Sequence, residues 1–192
     1  MDDLTLAVLA ALDSEGAIEQ HLVRGWIEQS QEIGTDALLY RLTDEAWERI
    51  EPRLEGAETC ALIQRYLLRC IRDHPRNDKI LSSFEAAETL EIWFGHLAAM
   101  ATPETDEILR RAAFAVTDLF LTGDDYARNV IETGFLEHLL EQKELRHWFE
   151  YWTRDERLRD AWTAALAWGE AHPDFKAGMR RELMWRTRDR AL

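Results

Sequence analysis

From Arg110 to Leu140 the chain reads RRAAFAVTDLFLTGDDYARNVIETGFLEHLL, a stretch that admits few folds. Ile108, Leu109, Ala112, Val116, Leu119 and Phe120 recur at three- and four-residue steps, so they share one face of a helix. Thr122, Gly123 and Asp124 predict a left-handed stop followed by a side-chain N-cap. Val130 and Ile131 open another apolar run, which Gly134 is expected to interrupt. Phe135, Leu136, Leu139 and Leu140 then form a second apolar face. Two stripes joined by a tight polar turn must be buried on neighbouring helices.

The rest of the chain keeps the same grammar. Residues 4–12 predict a short apolar helix ended by Asp13 and Ser14, and Ile18, Leu22, Trp26 and Ile27 hold helical spacing between Ala17 and Ile33. Gly34-Thr35-Asp36 predicts a break. A short helix over Ala37–Leu42 follows, then another that Thr43 caps, containing Trp47 and Ile50 and stopping near Pro52. Helix 57–73 carries Cys60, Ile63, Tyr66, Leu67, Cys70 and Ile71 on one side. It ends at His74 because the residue before proline is pushed out of helical geometry. Ser83 is the expected cap of helix 84–100, and Thr102-Pro103 opens helix 104–122. A short helix spans Lys143–Trp152. Thr153 to Glu156 then has capping-box spacing for helix 154–171, and a last helix covers about 174–188. Runs of β-branched residues and Asn-Gly or Asp-Gly hairpin signals are missing, so no strand is expected. The expected class is all-α.

Helix 57–73, its turn, Ile80-Leu81 and helix 84–100 echo helix 104–122, turn 123–125, Val130-Ile131 and helix 134–141. A looser copy runs from Ala17 to Leu42. With a period of roughly 45–50 residues, an Ala-rich helix, a polar turn, Val130-Ile131-Glu132-x-Gly134 and Leu136-x-x-Leu139-Leu140, the pattern resembles an armadillo or HEAT repeat. Armadillo repeats usually place Asn about eight residues before this glycine; here Tyr126 stands there and Asn129 is five before it. The resemblance implies a short right-handed α-solenoid, or an irregular bundle of armadillo/HEAT-like helix pairs, in one domain over residues 1–192. Within it, looser helices occupy 1–55, the repeat-like core 57–141 and Trp-rich helices 143–190.

Charge narrows the partner. The 192 residues carry a net −14, distributed unevenly: residues 1–60 hold 14 acids against 4 arginines, whereas residues 176–192 hold 6 bases against 2 acids. Such a surface repels nucleic acid and anionic lipid over most of its area and attracts basic proteins. Cys60 and Cys70 lie ten residues apart on one predicted helix. That separation is roughly 15 Å, beyond disulfide reach, so they read as small buried residues in a reducing compartment. The acidic start carries no basic-then-apolar leader, and no apolar run approaches the ~18 residues of a membrane span, so a cytoplasmic protein is expected.

No motif declares a chemistry. Glu144 and His147 have the Glu-x-x-His spacing of di-iron bundles, but such a site needs a second pair and two further carboxylates, so they read as a surface pair. His74 and His172 precede prolines at helix ends. His96 reads as buried and hydrogen-bonded, and His21, His138 and His147 as ordinary face residues. Neither a Gly-x-Ser-x-Gly elbow nor a phosphate loop occurs, so no enzyme, cofactor or metal is expected. Eight tryptophans include five between 148 and 185. Most should fill gaps between helices, while Trp148, Trp152 or Trp185, if exposed, would mark a binding surface. The basic end (Arg180, Arg181, Arg186, Arg188 and Arg190) reads as dipole compensation, or as pairing with the acidic N-terminal region within the chain or in a homodimer.

The solenoid resemblance implies protein binding on a concave surface. The lead expectation is a non-catalytic acidic module, most concretely an inhibitor or toxin-neutralising immunity protein that binds a basic partner. Clustering selects Asp44, Glu45, Glu48, Asp124, Asp125, Glu137 and Glu141 as its contact carboxylates, with Trp148 and Trp152 as aromatic candidates. A nucleic-acid mimic would instead space carboxylates along one edge. A cryptic helical enzyme would converge buried His and Glu side chains on one pocket. Direct nucleic-acid binding and membrane association are disfavoured.

Overall fold

Side chains that satisfy the free backbone amides decide where most of the helices begin. The computed structural model describes residues 2–173 and 175. Helix α1 (Asp3–Asp13) starts at Asp2, whose carboxylate accepts from the Thr5 amide at 2.7 Å. Helices α2 (Gln20–Gln29) and α3 (Ile33–Glu45) follow, then α4 (Gly56–Asp73), opened by a reciprocal Glu55–Glu58 capping box. Ser82 and Glu85 form the same box for α5 (Ser83–Met100), and Thr102 with Thr105 for α6 (Pro103–Thr122). Asp124 caps α7 (Asp125–Val130), which runs through a π-helical turn at Ile131–Leu136 into α8 (Glu137–Leu140). Two 3-10 segments, Lys143–Trp148 and Glu150–Arg154, lead to α9 (Glu156–Ala171), capped by Asp155. The described chain is all-helical apart from two-residue strands β1 (Ile18–Glu19) and β2 (Ile50–Glu51), parallel with Ile18 opposite Ile50.

Several expectations fail at specific residues. The expected absence of strands is corrected by that small pair, which closes the N-terminal helices into a loop. Gly34-Thr35-Asp36 does not break the chain but forms the first turn of α3, because a buried Asp36 carboxylate anchors that turn. Gly123 is extended (φ −71°), not left-handed; the left-handed residues are His74 (φ 48°) and Ala101 (φ 51°). Gly134 does not interrupt its helix. It lies inside the π turn, where a Cβ would come 3.0 Å from Ala87 Cβ, so the glycine admits the close approach of α5. Ser82 caps α5 in place of Ser83, and Asp155 caps α9 in place of Thr153. The expected helices around Trp47 and over Lys143–Trp152 are 3-10 segments. The helix expected at 174–188, with its arginines and Trp185, lies outside the described residues.

The main core joins α4, α5, α6, the π turn, α8 and α9 through Leu67, Leu90, Phe94, Val116, Phe135, Leu139 and Trp152. Phe94 is its aromatic hub, with ring centroids 6.0 Å from Phe135 and 5.8 Å from Phe149. Smaller clusters hold the N-terminal helices: Ile18, Val23, Leu42 and Ile50 in one, and Val8, Leu39 and Leu62 in another. Cys70 is buried and Cys60 partly so, and both are free thiols. Among the described residues no helix is long and apolar enough to cross a membrane.

Candidate functional site

Helix α5 turns one face toward the 3-10 segment at Lys143–Trp148, and a groove of about 660 Å³ opens between them and the start of α6. Its floor is Glu91, whose residue is fully buried and whose Oε1 accepts from Gln142 Nε2 at 2.8 Å. Ile92, Ala98, Ala99 and Leu145 supply apolar wall, and Trp148 an indole edge. Asp106, Arg110, Glu144 and His147 stand on the polar part of the lining. The left-handed turn at Ala101 brings α6 back to the groove, and so places Asp106 and Arg110 there.

Two exposed carboxylates, Asp106 and Glu144, face one guanidinium, Arg110, on this lining. Arg110 is ion-paired with Glu107, which also binds Arg111. His147 Nδ1 lies 2.8 Å from the Glu144 carbonyl and donates to it, which leaves Nε2 as the acceptor whenever the ring is neutral. Burial pushes the His96 imidazole below its ordinary pKa, so it is neutral near pH 7. His96 was expected to be hydrogen-bonded, but its Nε2 is buried with no partner, as is Trp148 Nε1. Glu144 and His147 thus make a local turn contact on this lining. Among the described residues no group of three or more His, Cys, Asp or Glu could hold a metal ion.

The clustered acids chosen from sequence separate into distinct roles. Asp44, Glu45 and Glu48 are exposed at the end of α3 and in the following 3-10 turn, with Glu45 bound by Arg41 at 2.9 Å. Asp124 and Asp125 are exposed at the start of α7, where Asp124 accepts from the Ala127 amide and Asp125 pairs with Arg128 at 3.1 Å. The cap amide and His74 hold the Asp124 carboxyl below its usual pKa. Glu137 is half-buried, and burial with the nearby Glu132 charge raises its pKa while His172 opposes the shift. Glu141 is no rim residue: its side chain is fully buried, with Oε1 2.8 Å from His138 Nδ1. His138 is likewise buried, against the Trp168 ring, which corrects its reading as a face residue. Trp152 is fully buried and donates from Nε1 to Thr117 Oγ1 at 2.9 Å, so it is core. Trp148, half-buried on the groove, is the only member of that set on the groove lining.

One constellation escaped the sequence reading. His74 Nδ1 lies 3.2 Å from Ser83 Oγ, and its Nε2 lies 3.1 Å from an Asp124 carboxylate oxygen, the three residue types of a hydrolase triad with the two ring nitrogens exchanged. Hydrolase chemistry does not follow from it. Ser83 is buried, and its hydroxyl donates to the Cys70 carbonyl at 2.9 Å, so its proton points away from the imidazole and no substrate reaches the oxygen. The group is a strut. It satisfies a free carbonyl at the end of α4 and ties that end to α5 and to the cap of α7. Tyr126 packs edge-on against His74 at 4.5 Å and covers it.

Residues 93–168 match a domain of unknown function, DUF7674. The match takes in most of the groove, from Gly95 to Trp148. No curated protein and no solved structure matches the chain.

Proposed function

We propose that this chain is a non-catalytic acidic protein-binding module, most concretely an inhibitor or toxin-neutralising immunity protein for a basic partner. The observation that carries the reading is how charge is spent. Residues 2–173 contain 34 Asp and Glu against 17 Arg and Lys, and at least ten of those bases are already held in ion pairs within the chain. Arg49 goes to the carbonyls at the end of α1, where a cation offsets the helix dipole. Positive charge is thus used locally, the described chain keeps an excess of carboxylates, and those at the end of α3 and the start of α7 are exposed. That field accelerates encounter with a cationic protein surface and repels polyanions. The packing of α4 on α5, and of α6 on both, supports an armadillo/HEAT-like helix-pair scaffold beneath that surface.

The test is affinity capture from the source cells at low ionic strength, followed by a salt titration. The expected result is a basic protein partner whose affinity falls steeply between low and physiological salt. Capture of no protein, together with turnover of a metabolite by the purified chain, overturns the reading.

A second reading, a helical enzyme, has one observation in its favour: Glu91 and His96 line the same groove. That lining contains no Ser, Thr or Cys, so such an enzyme would use acid–base and not nucleophilic chemistry. A nucleic-acid mimic is the other alternative, and competition between the partner's nucleic acid and this chain would reveal it.

A further inference from the structure

The groove beside α5 presents three chemistries at once. Exposed Asp106 and Glu144 bring carboxylates to its lining, while Arg110 pairs with Glu107, which it shares with Arg111. Ile92, Ala98, Ala99 and Leu145 bring aliphatic wall. Trp148 brings a half-buried indole ring. A carboxylate rim calls for a cation, and an aliphatic wall for methylene groups. An indole face attracts a cation or the CH groups beside one. Inorganic cations lack the methylene groups, and apolar ligands lack the charge. A peptide segment bearing lysine or arginine has both: a methylene stem that lies along apolar surface, and a charged head. The groove volume of about 660 Å³ falls within the usual span of ligand sites.

We infer that this groove is a docking site for an arginine or lysine side chain on a peptide segment of the basic partner. The inference rests on the protein-binding reading above and names the place and the recognised group. Glu144 and Asp106 attract the charged head. Leu145 and Ile92 cover the stem beside the Trp148 ring. Glu91, bonded by Gln142, closes the floor.

The test uses the full chain labelled with 15N, with the Trp148 indole resonance assigned through Trp148→Phe. Acetyl-Leu-Arg-Leu-amide should shift that resonance saturably, and acetyl-Leu-Glu-Leu-amide should leave it in place at the same concentrations. The double variant Asp106→Asn/Glu144→Gln, whose side chains are exposed, should keep the wild-type melting temperature. It should bind the arginine peptide about 3- to 30-fold more weakly, as expected for removing two partly solvated charge contacts. An unmoved indole, equal binding of the glutamate peptide, or unchanged affinity of the double variant overturns the inference. So does butylguanidinium binding as tightly as the peptide, which would make this a small-cation site. If a captured partner binds the double variant as well as the wild type, the groove assignment fails and the protein-binding reading stands. If no partner is found yet the arginine peptide binds as described, the groove assignment stands and that reading fails.

Discussion

Replacing Asp36 with asparagine should cost the fold about 3 kcal/mol, because it breaks a buried ion network from one side. Asp36 is fully buried in the first turn of α3. It accepts from Ser30 Oγ at 2.7 Å, Arg65 Nη2 at 2.6 Å and Arg69 Nη1 at 2.5 Å. The same two arginines donate to the Ile27 and Gln31 carbonyls, so one carboxylate knots the α2–α3 connection to the middle of α4. Asparagine keeps the shape but removes the charge, and turns an NH2 toward one of two cations. Breaking a buried pair from one side costs roughly 3–5 kcal/mol. Arg65 and Arg69 retain 34% and 20% of their side-chain exposure and can recover some hydration, which favours the lower end. Loss of a negative charge near the α3 N-terminus adds a few tenths. For a chain of this size about 3 kcal/mol corresponds to a fall of roughly 6–12 °C in Tm. Urea unfolding followed by circular dichroism reads it directly: the midpoint should drop with the m-value unchanged. The triple variant Asp36→Leu/Arg65→Met/Arg69→Met should recover most of the loss, because the buried charges go together. A D36N midpoint equivalent to less than about 0.5 kcal/mol of destabilisation would show that the network is an ornament and not an anchor.

Three further outcomes follow from packing and protonation. Gly169→Ala places a Cβ 2.9 Å from the Glu141 amide nitrogen and the Leu140 carbonyl carbon, backbone that cannot step aside, and should destabilise by about 1–3 kcal/mol in the same urea assay. Gly34→Ala, where a Cβ meets nothing within 4 Å, should stabilise α3 by about 0.4–1 kcal/mol. Burial pushes the thiols up, Cys60 to about 11 and Cys70 to about 12. Both should therefore label slowly with a disulfide reagent at pH 8 in the folded chain and rapidly in urea. The sign for stability follows: a thiol whose folded pKa is raised keeps its proton after the unfolded thiol has lost it. Thermal stability should accordingly be level up to about pH 8 and decline as pH rises beyond it. A rise in stability over that range would contradict the burial.

Periodicity made the helices legible because each buries a continuous stripe, as Leu109, Ala112, Val116 and Phe120 do on α6. Caps were legible where one residue type dominates, as at Thr102 before Pro103. What periodicity misses is any feature decided by a contact far along the chain. Gly34-Thr35-Asp36 has the composition of a break, yet Arg65 and Arg69, about thirty residues later, make it a helical turn. Gly134 has the look of a stop, yet the demand is for space against Ala87, which a π turn supplies without ending the helix. Two-residue strands are below the length at which alternation can be read at all.

The candidate residues divide along the same line. Exposed acids such as Asp44, Glu48 and Asp125 follow from charge counting, because water stabilises a surface carboxylate wherever the fold leaves it. Charge counting and aromatic content also select Glu141 and Trp152, and both are buried, the carboxylate against His138 and the indole against Thr117. A single sequence cannot show a pairing across 35 residues, although the three-residue spacing of His138 and Glu141 could have signalled theirs. The groove was illegible for a further reason. Glu91, Gln142 and Trp148 come from segments whose helical type was misassigned or whose separation along the chain hides their proximity. Only when the 3-10 segment replaces the expected α-helix does Trp148 fall beside α5 while Trp152 turns into the core. The distinction between a half-exposed tryptophan and a buried one is thus set by the tighter turn of the 3-10 segments and the break between them at Phe149 (φ −120°).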